Sequence, residues 1–345
     1  MSKIKRICVP LSLDCNLHCK YCYRDHDERM DKVPDFSKEM IDYLQSLSPD
    51  SCEAVIASGG EPLCHWDKVK ELFSYVPKGV HKKVMSNCVL LTQEMVDYIN
   101  ENEIELSASH DGPQAGFLRG VNILENEKLV NLIQQVKILR IVCVITKYNA
   151  DVWENFFDTA NKLKRCDFNY FISPLLDCPS QEYLVDGMDY DKWFTTWSQF
   201  MVSPYYHELP WYRGKTLNKK SVGKSTFNYK YGKHGHFNVL PDGTVCEMTK
   251  ITANYGKVWD SFEDLYSEML KYEDFSYCEK CKYNTVCNIN IPCYSKHTFK
   301  IRSLINSFMV SYEKKMALRK YVMEHLHEIE EKYGVDRALI GANYD

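Results

Sequence analysis

Short apolar segments alternate with amphipathic segments about six times in the first half of the chain, and this alternation limits the fold more than any other feature. The apolar segments, which we interpret as buried strands, lie at 4–13, 53–58, 80–86, 104–109, 138–145 and 168–172. The segments between them have helical spacing of apolar residues and lie at 37–47, 66–76, 92–100, 129–136 and 152–163. Repeated strand–helix pairs predict a parallel sheet with right-handed crossovers. The sequence therefore predicts an α/β protein built on a partial (β/α)6 TIM-like barrel.

Three cysteines follow the first predicted strand, with the spacing Cys15-x3-Cys19-x2-Cys22. Loops after the strands of a parallel barrel meet at its functional mouth, so we expect these thiols there. Soft thiolates select zinc, copper(I) or an iron–sulfur cluster. A structural zinc site takes four protein ligands, and the next cysteine in the chain is Cys52. A [4Fe–4S] cube held by three cysteines keeps one iron open to a small molecule.

The composition excludes several other classes of protein. Of the 345 residues, 45% are hydrophobic and 26% are charged, which is enough for a normal core, and the net charge of −4 argues against a nucleic-acid partner. No apolar run is long enough to span a membrane, and no signal peptide is evident. Fifteen cysteines without an export signal indicate metal binding rather than disulfides and predict a cytoplasmic location.

The cysteine spacing, with Tyr21 before the last cysteine, resembles the signature of the radical SAM superfamily. The segment 58–62 (SGGEP) after the second strand resembles the family's GGE motif, whose backbone holds the methionyl amine of S-adenosylmethionine (SAM). The resemblance implies that Cys15, Cys19 and Cys22 hold a SAM-binding [4Fe–4S] cluster. It implies SAM contacts from Tyr21, Gly59, Gly60, Glu61, Pro62, Ser86, Asn87 and Ser109.

The loops after strands three and four continue the resemblance. Ser86 and Asn87 resemble the family's Thr-Asn-Gly segment, with Cys88 in place of the usual glycine. The segment 109–113 (SHDGP) resembles the Ser-x-Asp-Gly of peptide-modifying members, which lies near the SAM ribose. His110 in this segment is interpreted as a packed or solvated loop histidine rather than a general base.

A second cysteine cluster lies near the C-terminus, with the spacing Cys278-x2-Cys281-x5-Cys287-x5-Cys293. A zinc ribbon is one interpretation of four such cysteines. The preceding segment 236–249 predicts two strands around a Pro-Asp-Gly turn. Hairpin and cysteines together resemble the SPASM or twitch domain, which carries auxiliary [4Fe–4S] clusters in radical SAM enzymes.

This tail departs from the full SPASM pattern, because residues 179–245 contain no cysteine and none follows Cys293. We therefore expect one auxiliary cluster. Its ligands would be Cys278, Cys281 and Cys287, with a fourth from Cys293 or Cys246. The thiol that is not used is a candidate hydrogen-atom donor. Glu247 lies near the position of an aspartate base in the anaerobic sulfatase-maturase branch and is a candidate proton acceptor, although a solvated hairpin carboxylate is the favoured interpretation of it.

The resemblance divides the chain into a barrel core (1–176), a bridging helical and aromatic region (177–232), an auxiliary-cluster domain (233–298) and C-terminal helices (299–345). It implies reductive cleavage of SAM to a 5′-deoxyadenosyl radical, with one electron from an external flavodoxin- or ferredoxin-type reductant. The radical would abstract hydrogen from a peptide or protein, as in ribosomal-peptide maturation by thioether or carbon–carbon crosslinking or epimerisation. The alternatives are a radical SAM dehydrogenase of a small alcohol, amine or sugar, and a zinc-binding adaptor without catalysis.

Overall fold

The computed structural model describes residues 3–22, 35–174, 181–185, 189–207, 234–246, 254–272, 281–282, 296–309 and 311–342. Within these ranges, eight strands form one sheet. The strands are β1 (Lys3–Pro10), β2 (Ala54–Ser58), β3 (His81–Ser86), β4 (Glu105–Ser109), β5 (Leu139–Ile145), β6 (Asn169–Pro174), β7 (His234–Val239) and β8 (Val245–Cys246). All six strands predicted for the barrel are present, and the first ends at Pro10 rather than at residue 13.

The sheet has the order β6-β5-β4-β3-β2-β1-β7-β8, and every neighbouring pair from β6 to β7 is parallel. The described helices are α1 (Lys38–Gln45), α2 (Trp66–Ser74), α3 (Gln93–Glu101), α4 (Ala115–Arg119), α5 (Glu127–Gln134), α6 (Val152–Leu163), α7 (Asp189–Val202), α8 (Phe262–Tyr272), α9 (Lys296–Met309), α10 (Tyr312–Glu324), α11 (Leu326–Lys332) and α12 (Arg337–Ile340). Helices alternate with strands from β1 to β6, which confirms the predicted α/β fold with a partial barrel.

Side-chain caps fix where the barrel helices begin. Ser37 caps α1 by accepting a hydrogen bond from the backbone N–H of Met40. Thr92 and Asp151 cap α3 and α6 in the same way. Each cap satisfies one of the backbone donors that a helix leaves unpaired at its N-terminus.

The two faces of each barrel strand have different environments, because successive side chains alternate in direction. Outward residues such as Val9, Val55 and Leu106 are fully buried in the main apolar core beneath the helices. Inward residues such as Cys8 and Ile56 form a separate, smaller cluster inside the barrel. The buried outer layer therefore holds the helices on the sheet and leaves the inner face for ligands.

A buried charged layer fills the inner face at the amino ends of the strands. Glu105 is fully buried and lies 2.6 Å from Arg140 Nε, 3.0 Å from His81 Nε2 and 3.4 Å from Lys83 Nζ. These neighbours outweigh the effect of burial, which alone would raise its pKa, and lower the pKa of Glu105 to about 2. This layer occupies the end of the barrel opposite the mouth.

The predicted C-terminal hairpin is present, and its first strand extends the barrel sheet. β7 pairs in parallel with β1, and β8 pairs antiparallel with β7 through Asn238–Cys246 and Val239–Val245. Thr244 donates from its backbone N–H to Asp242 Oδ1 in the turn, where Gly243 has a φ of 84°. The strands of the predicted auxiliary-cluster domain (233–298) that the structure describes therefore belong to the same sheet as the barrel, and the division of the chain into domains stays a prediction.

The aromatic side chains of α7, in the described part of the region after the barrel, pack in the core. α7 contacts α6, with Trp193 and Phe200 fully buried. The C-terminal helices cover α7 and α6, where Glu330 of α11 accepts a hydrogen bond of 2.7 Å from the Tyr205 hydroxyl. No helix in the described part of the chain is long and apolar enough to cross a membrane.

Candidate active site at the barrel mouth

The carboxyl ends of the barrel strands surround a cavity of about 340 Å³. Its walls contain ten of the eleven residues that the radical SAM resemblance assigned to the N-terminal cluster and SAM: Cys15, Cys19, Cys22, Tyr21, Gly59, Gly60, Glu61, Ser86, Asn87 and Ser109. The eleventh, Pro62, begins a short 3₁₀ turn after Glu61 and does not line the cavity. Four separate loops of the sequence therefore meet in one place.

The three cysteines stand on the wall of this cavity with different exposures. Cys15 and Cys22 are exposed, whereas Cys19 is half-buried. Burial raises the pKa of both Cys15 and Cys19. Among the described residues, no three His, Cys, Asp or Glu side chains come close enough together to hold a single metal ion. The donor set, three thiols facing shared open space, fits a cluster with a small molecule beside it, since a cube spreads its ligands over several irons.

Gly59 and Gly60 bring the second loop against the cysteine loop. The backbone N–H of Gly60 donates to Ser12 O at 2.6 Å. A Cβ on Gly59, which has a φ of 128°, would lie 2.2 Å from Ser12 O, and one on Gly60 would lie 2.2 Å from Asp14 O. The sequence suggested that these glycines admit a ligand; the structure shows that they also admit the backbone of the neighbouring loop.

Glu61 joins the second loop to the third. Its carboxylate is buried and accepts hydrogen bonds from Ser86 Oγ and Asn87 N, each at 2.7 Å, and from Leu63 N at 3.0 Å. Burial raises its pKa, and these hydrogen bonds oppose the rise. The resemblance assigns Glu61 to a contact with SAM; the structure shows that much of the accepting capacity of its carboxylate is used by the protein itself.

The third loop places Asn87 beside the first cysteine. Asn87 Nδ2 donates to Asn16 Oδ1 at 2.8 Å and lies 3.9 Å from Cys15 Sγ. The next residue, Cys88, is fully buried with a φ of 62°, a left-handed conformation that favours glycine. The backbone at residue 88 therefore has a conformation that favours glycine, although the residue at this position is cysteine.

A buried ion pair, which the sequence analysis did not identify, anchors the cysteine loop. The Tyr21 hydroxyl donates to Asp111 Oδ2 at 2.5 Å, and Arg119 Nε lies 2.7 Å from the same oxygen. Val144 N donates to Asp111 Oδ1 at 2.9 Å. Lys20 N also donates to Leu118 O at 2.9 Å. The fourth loop and α4 therefore hold the cysteine loop at the mouth, and Arg119 brings a positive charge into the cavity wall.

The pairing of β1, β7 and β8 brings a further group to the inner face. Cys8 pairs in register with Asn238, and Asn238 pairs with Cys246. Cys8 and Asn238 both line the cavity, and Asn238 is buried. Directly paired residues on neighbouring strands face the same side, so Cys246, which is also buried, belongs to the inner face. Asn238 was missed because only the long-range pairing of β7 brings it near the mouth.

His110 is part of the barrel packing rather than the mouth. It is fully buried, and its Nε2 lies 3.5 Å from Asp158 Oδ2 of α6. It does not line the cavity. This placement agrees with the interpretation of His110 as a packed histidine.

Several predicted site residues fall outside the described part of the chain. They are Glu247, Cys278, Cys287 and Cys293. Cys281 is described and half-buried. The ligand set of the predicted auxiliary cluster and the role of Glu247 thus remain predictions.

Comparison with known proteins identifies the domain that contains the mouth. The sequence model of the radical SAM superfamily matches residues 9–173, which span β1 to β6. This chain contains a radical SAM domain. Such domains use a [4Fe–4S] cluster and SAM as cofactors, and auxiliary clusters are characteristic of the SPASM-type members.

Two curated relatives of the radical SAM domain have recorded functions. The radical SAM cyclopropyl synthase TigE of Paramaledivibacter caminithermalis is 23% identical over 51% of this chain, but the match spans only 39% of TigE. The cysteine-type anaerobic sulfatase-maturating enzyme of Clostridium perfringens is 21% identical over 83% of this chain and 88% of its own length. The shared region thus extends beyond the radical SAM domain in the second relative.

Solved structures show the same fold over most of the chain. The structure of anSMEcpe with bound AdoMet matches with a TM-score of 0.63 and 17% identity, covering 92% of this chain and 99% of that one. Streptococcus suis SuiB bound to the precursor peptide SuiA matches with a TM-score of 0.55 and 15% identity, covering 84% of this chain and 72% of that one. The likeness therefore includes the part of the chain beyond β6.

Proposed function

We propose that this radical SAM enzyme cleaves SAM reductively and abstracts a hydrogen atom from a peptide or protein substrate. The observation that carries the proposal is the single cavity at the mouth, which brings the cysteine loop together with the GGE-like loop, Asn87 and Ser109. A functional cavity at the carboxyl ends of parallel strands is typical of barrel enzymes. The substrate class is the finer part of the proposal, and it depends on the relatives.

The chain's own groups have distinct tasks in this proposal. Cys15, Cys19 and Cys22 would hold the cluster, with Asn87 Nδ2 directed at Cys15 Sγ. When bound, the cluster and SAM supply an electron and a 5′-deoxyadenosyl radical that removes a substrate hydrogen. The protein's part is to bind and orient SAM and the substrate and to exclude water, since the hard chemistry belongs to the cofactor.

The SAM site would use both backbone and charge. The SGGE backbone would face the methionyl amine, while Glu61 holds that loop to the third strand. Among the described residues, Arg119, kept in place by Asp111, contributes a cation to the cavity wall and would balance negative charge on cluster thiolates or a SAM carboxylate. Ser109 lines the same cavity and would contact SAM from the fourth strand.

Peptide modification is supported by the relatives rather than by a feature of the cavity. Two structures of similar fold, anSMEcpe with the Cp18Cys peptide and SuiB with SuiA, are peptide complexes. The sulfatase-maturating relative is similar over 83% of this chain. We therefore propose ribosomal-peptide maturation, by a thioether or carbon–carbon crosslink or by epimerisation, as the reaction class.

The C-terminal cysteines would hold one auxiliary [4Fe–4S] cluster through Cys278, Cys281 and Cys287, with Cys293 or Cys246 as fourth ligand. The inner-face position of Cys246 also suits a thiol beside the substrate. Iron content separates the two roles: Cys246→Ala loses an auxiliary cluster if Cys246 is a ligand, and keeps it if Cys246 is a free thiol. Glu247, one residue further, remains a candidate proton acceptor.

SAM cleavage tests the proposed function directly. Anaerobically reconstituted protein is incubated with dithionite and SAM, and 5′-deoxyadenosine is measured. We expect about eight irons per chain for two cubes, and about four in the Cys15/Cys19/Cys22→Ala variant, which should make no 5′-deoxyadenosine. A colourless zinc-containing preparation that leaves SAM intact would refute the proposal.

Isotope transfer tests the substrate class. Deuterated cysteine-containing peptides and deuterated small alcohols are compared as substrates. We expect deuterium in 5′-deoxyadenosine only with a peptide. Transfer from the alcohols alone would support the dehydrogenase alternative.

A further inference from the structure

Three exposed or half-exposed aromatic side chains form a ledge beside the cysteine loop, and two lysines flank it. We call Phe117, Tyr148, Tyr183, Lys20 and Lys147 the mouth ledge. Phe117 is 42% exposed and Tyr148 is 37% exposed, and both lysines are exposed. Large exposed aromatics in contact with one another are typical of interaction surfaces.

The mouth ledge is assembled from four separate parts of the chain. The rings of Phe117 and Tyr148 are 5.0 Å apart, and those of Tyr148 and Tyr183 are 5.8 Å apart. Lys20 Nζ lies 3.5 Å from the centre of the Phe117 ring, and Lys147 Nζ lies 4.9 Å from that of Tyr148. These contacts pre-order the side chains, which lowers the entropy cost of binding a partner.

The mouth ledge is continuous with the cysteine loop. Lys20 is the residue after Cys19 and lies two residues before Cys22. Its backbone N–H donates to Leu118 O, next to Phe117. None of the five ledge residues lines the cavity. A protein seated on the ledge would therefore contact the loop that holds the proposed cluster without entering the cavity.

We propose that the mouth ledge is the docking surface for an acidic one-electron carrier protein. This inference rests on the proposed function, which requires an external electron. The carrier loses one electron and the cluster held by Cys15, Cys19 and Cys22 gains it; no atom or proton is transferred.

Charge and size both favour this partner. Lys20 and Lys147 flank the ledge. Glu182 places a carboxylate beside it and accepts a hydrogen bond of 2.9 Å from the Tyr148 hydroxyl. A small cationic surface with an apolar centre suits an acidic partner that binds briefly, since redox encounters use small interfaces and are steered by charge. A peptide held for chemistry needs contacts inside the barrel, and the ledge lies outside it.

Charge reversal tests the docking surface. The dissociation constant for a purified acidic flavodoxin is measured anaerobically for the wild type and for Lys20→Glu/Lys147→Glu. We expect Kd to rise roughly five- to tenfold, as the loss of two exposed charge pairs implies. In Lys147→Glu alone, production of 5′-deoxyadenosine with flavodoxin should fall in parallel with the weaker binding, whereas production with dithionite, a small reductant that needs no docking surface, should be unchanged.

The matched control reverses two exposed lysines elsewhere, Lys128→Glu/Lys137→Glu, and should change Kd less than twofold. Lys147→Glu alone, which leaves the cysteine loop untouched, should raise Kd about two- to threefold. An unchanged Kd in the double variant, or an equal rise in the control, would overturn the proposal. So would weaker peptide binding with unchanged flavodoxin binding, which would assign the ledge to the substrate. If the wild type fails to cleave SAM with dithionite, the proposed function fails while the Kd comparison still decides the ledge.

Discussion

At residue 60 the lack of a side chain allows two functional loops to touch. A Cβ there would lie 2.2 Å from Asp14 O and 2.3 Å from Leu13 O, and both are backbone atoms that no rotamer change can move. The hydrogen bond from Gly60 N to Ser12 O depends on the same approach. The two loops that would hold cluster and SAM are therefore in direct backbone contact, through Gly60 N to Ser12 O and Glu61 N to Asp14 O.

Gly60→Ala should separate these loops. We expect SAM affinity to fall at least tenfold and the iron of the N-terminal cluster to be partly lost, because the cysteine loop would move. Equilibrium binding of labelled SAM and iron analysis measure both effects. Gly116→Ala in α4 is the control: its Cβ would lie 4.0 Å from the Cβ of Asn122, an ordinary contact distance, so binding should be unchanged. Equal effects in the two variants would show that Gly60 has no special role.

Cys88 has a left-handed backbone conformation that favours glycine, and substitutions at this position can measure its cost. Its φ of 62° costs a residue with a side chain about 1 kcal/mol relative to glycine. We expect Cys88→Gly to be more stable than Cys88→Ala by about that amount, although glycine buries less surface. Urea denaturation measures the order of the two variants. If alanine is the more stable, the conformation at residue 88 is not strained.

The site residues that the sequence predicted have local signatures. Cysteine spacing and a Gly-Gly-Glu run can be recognised in the chain itself, and ten of those residues line one cavity. Asp111 and Arg119 were missed as a pair, because a buried ion pair that supports a loop has no characteristic spacing. The contacts of Glu61 with Ser86 and Asn87 were missed for the same reason, because these partners lie at the end of another strand.

At the level of elements, the strands were predictable because each is a short apolar segment followed by a helix with a polar face. The charged layer around Glu105 was not predictable. Lys83, Glu105 and Arg140 look like ordinary polar ends of strands in the sequence. Only the register of β3, β4 and β5 turns them to the inside of the barrel, where they neutralise one another.

Glu105→Gln should destabilise the barrel by about 3 kcal/mol, because it leaves Arg140 and Lys83 without their buried counter-charge. The pKa of Glu105 is lowered to about 2 in the folded protein. Its contribution to the free energy of unfolding is therefore complete only above the unfolded pKa, about 4.5. The wild type should lose stability as the pH falls from about 4.5 through 2. Urea midpoints between pH 2 and 7 measure both.

The control for this variant is Glu101→Gln, an exposed change at the end of α3 that should cost less than about 0.5 kcal/mol. The Glu105→Gln variant should also show a shallower loss of stability in acid than the wild type. An identical acid profile in the two proteins would mean that another carboxylate controls the transition.

At the level of the whole molecule, the sheet extends past the radical SAM domain, since β7 pairs with β1 across more than two hundred residues. Nothing in the local pattern of β7 indicates its partner, so the sequence predicted the hairpin but not its attachment. The C-terminal helices were likewise predicted as helices, but a buried carboxylate through which they bind the aromatic core was not. That carboxylate is Glu330.

Glu330 connects the C-terminal helices to the aromatic core beside α6. It is buried and accepts hydrogen bonds from the Tyr205 hydroxyl at 2.7 Å and from Arg337 Nε at 2.8 Å. Tyr205 is fully buried, and its ring centre lies 5.0 Å from that of Phe157 in α6. The link therefore joins α11 and α12 to the outer layer of the barrel.

Glu330→Gln should lower the free energy of unfolding by about 2 kcal/mol, because two hydrogen bonds to a buried charged group are weakened. The loss should appear first as faster hydrogen exchange in α11 and α12, with β1–β5 protected as in the wild type, since the mouth does not depend on this contact. Exchange followed by mass spectrometry measures the difference.

Glu331→Gln, whose carboxylate pairs with His327 in solvent, is the control and should change neither the free energy of unfolding nor the exchange rates. Faster exchange throughout the barrel strands would show instead that the C-terminal helices and the barrel unfold as one unit.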